Sequence, residues 1–128
     1  MKKLPVAFVV ENDPYHKKLY RELKRRVRVI KVLSLWHVER LFEKNLPVVS
    51  IVVMCGNDNL HVTRFDTIPL IKMMREKGFK GPILAVSHES STRMEMCKAG
   101  CSHDERWKDK VPWMVLDILA KQKQNAMP

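Results

Sequence analysis

Five short apolar runs rich in Val and Ile punctuate the chain: VAFVV (6–10), VRVIKVL (27–33), VVSIVVM (48–54), ILAVS (83–87) and a weaker one around HDERWK (103–108). The segments between them are each long enough for one helix, and strands alternating with helices of that length build repeated β-α units around a parallel sheet. The first, third and fourth runs are almost continuously apolar, as strands covered on both faces must be. The second is interrupted by Arg28 and Lys31, which marks an edge strand.

The intervening segments carry helix punctuation. Asp13 can cap a first helix with Pro14 in its first turn, and Tyr15, Leu19 and Leu23 then recur on one face. Ser34 can cap a second helix, turning Leu35, Val38, Leu41 and Phe42 inward and ending before Pro47. A third starts at Asp66 or Thr67, carries Ile68, Ile71 and Met74, and stops at Gly78. A fourth spans about 91–99 and closes on Gly100. The last covers about 112–123, with Trp113, Leu116, Leu119 and Ala120 as its apolar stripe.

A chain of 128 residues is the size of one domain, expected to span 1–128. No apolar stretch approaches the roughly 20 residues of a membrane span, and the start lacks the features of a secretion signal, so a soluble, cytoplasmic protein is expected. Three cysteines without finger-like pairing argue against a disulfide framework and for reduced thiols. The net charge of +10, from 24 Lys and Arg against 14 Asp and Glu, is concentrated early. Lys17, Lys18, Arg21, Lys24 and Arg25, continued by Arg26 and Arg28, form a candidate polyanion face for nucleic acid or another acidic partner. The plain alternative is a solvated helix face whose cationic stems cover apolar surface.

The run VVENDP, the run GPILAVSHES and the stretch KAGCSHDERWK, in this order and at this spacing, resemble the receiver domain of bacterial two-component response regulators over nearly the whole chain. That resemblance implies a flavodoxin-like, doubly wound α/β fold: a five-stranded parallel sheet in the order 2-1-3-4-5 with five helices. In the family, two acidic residues after the first strand help hold Mg²⁺; here the positions fall on Glu11 and Asn12. Ser87 falls on the Ser or Thr that contacts the phosphoryl group. The phosphate-accepting Asp, counted from Pro47, falls on Val53, or on Met54 if the register slips.

Val53 removes the nucleophile and a metal oxygen together, because a carboxylate at that position serves as both. The Lys of the fifth strand is predicted at Trp107, and Lys108 lies one residue beyond, which in a regular strand points to the other face. The family's aromatic switch position falls near Asp104. The segment MCGNDNLHVTRFDT after the third run is longer than the usual connection, and its Asp58 is a weak substitute acceptor because Gly56 and Asn57 are poor strand residues.

Other chemistry is thinly supported. Cys55, Ser87, His88, His61 and Glu11 could share one sheet edge, but no spacing enforces a nucleophile-base pair. Cys97, Cys101 and His103 lack a fourth ligand for zinc, and Met73, Met74, Met94 and Met96 read as pliable core. No glycine-rich phosphate loop follows any run. The expectation is therefore a degenerate receiver that is not an enzyme, needs neither metal nor cofactor, and works by binding a signalling partner. That partner includes a second copy, met through the face of fourth helix, fifth strand and fifth helix where Trp107, Trp113 and Arg93 are the candidate contact residues.

Overall fold

The computed structural model describes residues 4–11, 17–32, 37–56 and 64–126. Along the chain lie β1 (Val6–Val10), α1 (Lys17–Leu23), β2 (Arg28–Val32), α2 (Val38–Asn45), β3 (Val49–Cys55), α3 (Arg64–Glu76), β4 (Ile83–Val86), α4 (Ser90–Ala99), β5 (His103–Glu105) and α5 (Val111–Ala126). The five strands form one sheet in the order β2-β1-β3-β4-β5, every neighbouring pair parallel. The flavodoxin-like doubly wound order expected from the sequence is the order observed.

Strand periodicity divides the core in two. Ala7, Val9, Ile51, Val53, Cys55, Leu84 and Val86 face α1 and α5, where they meet Tyr20, Leu23, Val111, Val115 and Ile118. The alternate residues, Phe8, Val10, Val52, Met54, Ile83 and Ala85, face α2, α3 and α4 and meet Val38, Phe42, Ile71, Met74 and Met96. At roughly 1.5–3 kcal/mol for each fully buried large side chain, these two layers dominate the stability of the sheet. Two helix ends rely on left-handed glycines, as the sequence suggests: Gly78 at φ +96° after α3 and Gly100 at φ +140° after α4.

Two elements differ from expectation. In α5 Val111, Val115 and Ile118, spaced i, i+4, i+7, are buried together with Pro112, and Leu116 and Leu119 pack partly buried against the same core, whereas Trp113 is 65% exposed and Ala120 is also on the surface. The helix is apolar on more than one side, and packing against Leu23 and Val27 selects the branched stripe. The third run also lies further along than counting implies. Pro47 belongs to a 3-10 turn over Leu46–Val48, and β3 carries a register irregularity opposite Val6 and Ala7 that leaves Ser50 as an extra residue. The Ser50 hydroxyl accepts the Val6 N–H at 3.1 Å across that irregularity. The caps proposed at Asp13 and Ser34, with Pro14, Tyr15 and Leu35, lie outside the described residues.

Candidate functional site

Because β2 and β3 lie on opposite sides of β1, the sheet reverses its winding between β1 and β3, and the carboxyl ends there open the crevice where such sheets place ligands. Glu11 leaves β1 at that edge. Its N–H donates to the Val32 carbonyl at 3.1 Å, so it extends the ladder one residue past the strand, and its side chain is fully buried.

Val53 does not reach this edge. It pairs with Val9 on one side and Leu84 on the other, completely buried against α1 and α5. Cys55 pairs with Val86, and the Gly56 N–H donates to the Val86 carbonyl at 2.8 Å. Cys55 and Gly56 are therefore the residues that end β3 beside Ser87. Val53, the position counted from Pro47, thus lies two residues before the end of β3 at Cys55, with the 3-10 turn at Pro47 and the extra residue at Ser50 lying between the start of that count and the regular strand. Neither Cys55 nor Gly56 carries a carboxylate. A Cβ at Gly56 would stand 2.9 Å from Met96 Sδ and 3.2 Å from Thr92 Cγ2, so a side chain there requires those two to shift.

Lys108 does reach it. β5 is only three residues long, so the parity that would turn Lys108 away ends at Glu105. Trp107 then adopts extended backbone into a 3-10 turn over Lys108–Lys110. The Lys108 Nζ comes 3.3 Å from Glu11 Oε2 and 3.5 Å from Oε1, with the lysine side chain 14% exposed. A buried carboxylate is costly unless a cation or several donors share its charge, and here an ammonium does so. A Mg²⁺ site of the receiver type needs several oxygens around one ion. Among the described residues, no three His, Cys, Asp or Glu side chains converge closely enough to hold a metal. These residues do not fit that ion. Asn12, His61 and Asp58 lie outside the described residues.

The rest of the edge is tied down by hydrogen bonds. The buried Ser87 hydroxyl accepts the Glu89 N–H at 3.2 Å as its own N–H donates to the Glu105 carbonyl. Arg93 donates from Nη1 to the Ser87 carbonyl at 2.7 Å and from Nε to Asp104 Oδ2 at 3.0 Å, joining α4 to the ends of β4 and β5. The ring of His88 meets Trp107 edge-on at 5.5 Å, and the Arg106 guanidinium lies 4.8 Å over the same indole. Trp107 remains 43% exposed and Met94 on α4 is 57% exposed.

The candidate contact residues thus separate. Arg93 and Trp107 belong to the α4–β5 side. Trp113 lines a cleft with Glu22, Arg25 and Arg26 at the end of α1. Arg21, Lys24 and Arg25 are exposed there, and the side chains of Lys17 and Lys18 lie outside the described residues. The remaining thiols are poorly suited to metal or nucleophilic chemistry. Burial pushes the Cys101 thiol far above its ordinary value, and burial followed by Asp104 raises that of Cys97. His103 Nδ1 pairs with the Ser102 hydroxyl at 2.8 Å. No helix among the described residues is long and apolar enough to cross a membrane.

Solved structures that share this architecture include receiver domains. The receiver domain of a Francisella response regulator superimposes with a TM-score of 0.72 at 14% identity, over 92% of this chain and 98% of that one. A protein of Burkholderia thailandensis assigned to pilus assembly gives 0.71 at 20% identity, over 93% and 100%. A chemotaxis protein of Vibrio cholerae gives 0.69 at 10% identity, over 90% and 98%. No family model and no curated protein matches the sequence. The chain has the receiver fold of two-component response regulators.

Proposed function

We propose that this chain is a cytoplasmic signalling module of the two-component (phosphorelay) type, not an enzyme, that acts by binding a partner protein without phosphorylation of an aspartate. The observation that carries the reading is the buried Glu11–Lys108 pair beside a β3 that ends on Cys55 and Gly56. Phosphoryl acceptance needs a carboxylate nucleophile on that strand and a metal ion to neutralise the transferring group. In its place an internal cation lies against the buried Glu11 carboxylate. The pair links the end of β1 to the 3-10 turn that leads from β5 into α5.

On the α4–β5 side of the chain Trp107 and Met94 are exposed apolar groups, and aromatic and Met side chains with a polar rim are what interfaces use as anchors. Arg93 holds the α4–β5 backbone beneath them. A second copy of the chain is one partner this surface suits.

Titration with Mg²⁺, followed by the backbone amide resonances of Glu11, Gly56, Ser87 and Lys108, is the direct check on the site. The resonances are expected to stay in place. Saturable shifts centred on Glu11 and Gly56 would overturn the reading.

A further inference from the structure

The proposed signalling role leaves unused the densest charge on the molecule. The last turn of α1 and the turn after it present Arg21, Lys24, Arg25 and Arg26 to solvent, and Arg28 follows, with Glu22 as the one acid in that stretch. Arg25 and Arg26 line a cleft of about 200 Å³ together with Glu22, Pro112, Trp113 and Leu116. A second cavity, lined by Tyr20, Arg21, Lys24 and Lys31, borders the same helix end, and the Lys31 ammonium lies 4.0 Å over the Tyr20 ring. The structure therefore brings an indole from α5, 65% exposed, alongside a cationic turn far from it in sequence.

We infer that this cleft binds single-stranded nucleic acid, one base stacking on Trp113 while Arg25, Arg26 and the flanking cations take the phosphates. The cleft is below the size that encloses a cofactor and suits a single planar ring. Guanidinium forks match phosphate oxygens in pairs. A basic groove bearing an exposed aromatic is the arrangement by which proteins hold single strands without reading sequence. An acidic protein surface would satisfy the cations, yet it offers carboxylates and no regular supply of flat rings for the indole. A regularly charged strand with a base at each step satisfies both features at once.

The test is fluorescence anisotropy of a labelled oligothymidylate of about 12 nucleotides, within the span of one small binding domain, added to the whole chain at low salt. Binding is expected. Trp113→Ala should weaken it about tenfold and Trp113→Phe should retain it. Arg25→Ala with Arg26→Ala should reduce the slope of log affinity against log salt by about 1.4, at roughly 0.7 per phosphate contact on a single strand. All three side chains changed are on the surface, so circular dichroism of each variant should match the parent. Absence of binding at low salt overturns the inference, as does equal affinity in Trp113→Ala. Competition by polyglutamate of matched charge as strong as by unlabelled oligonucleotide also overturns it, and points to an acidic protein as the occupant.

Discussion

Lys108→Met is expected to lower the unfolding free energy by about 3 kcal/mol, among the largest losses from any single change near the sheet edge. The lysine supplies the cation to a carboxylate whose side chain is wholly buried, at 3.3 Å. Removing one partner of a buried pair takes from the other charge a large part of its compensation, and this costs more than the pair itself contributes. The double variant Glu11→Met/Lys108→Met removes both charges and is expected to recover most of the loss, within about 1 kcal/mol of the parent. Urea denaturation at neutral pH measures all three proteins. A Lys108→Met variant as stable as the parent would show that the ammonium does not neutralise Glu11, and the proposed replacement of metal by lysine would lose its basis.

Phe42→Ala is expected to cost about 4 kcal/mol. Phe42 is fully buried on the face of α2, α3 and α4, and its ring makes edge contacts with Phe8 at 5.4 Å and with Phe79 at 5.7 Å. Truncation loses the transfer energy of the ring, its two aromatic contacts, and the packing around the cavity left behind. Trp113→Ala removes a larger side chain and is expected to change stability by no more than about 0.5 kcal/mol, because the indole is mostly in water. The urea midpoints of the two variants should differ accordingly. Similar losses would mean that the apolar stripe of α5 runs through Trp113 after all.

That stripe illustrates where sequence reasoning reaches and where it stops. The central strands were legible because Val and Ile favour a pleated, doubly covered surface, and Arg28 and Lys31 marked β2 as an edge. The glycines ending α3 and α4 were legible because only glycine readily takes their backbone angles. In α5, however, Leu116 and Leu119 pack against the core as expected while Trp113 does not, and only contacts distant in sequence show that Val111, Val115 and Ile118 carry the buried face.

The site was legible in outline for a similar reason. Glu11 and Ser87 follow directly from their strands, which are regular to the end. Counting along β3 is less direct, because a residue such as Ser50 that adds to one strand without adding to its neighbour has no compositional signature. Strand parity turns Lys108 away only if the strand continues past Glu105, where β5 in fact ends. In both cases local irregularity moved a side chain by an amount that regular periodicity does not anticipate.

The most direct measurement of the central claim is intact-protein mass spectrometry after incubation with acetyl phosphate and Mg²⁺, read before and after hydroxylamine. With Cys55 and Gly56 ending β3 and Lys108 on Glu11, the protein is expected to keep its unmodified mass throughout. A stoichiometric gain of one phosphoryl group that hydroxylamine removes would identify an acyl phosphate, and with it a working receiver that contradicts this account.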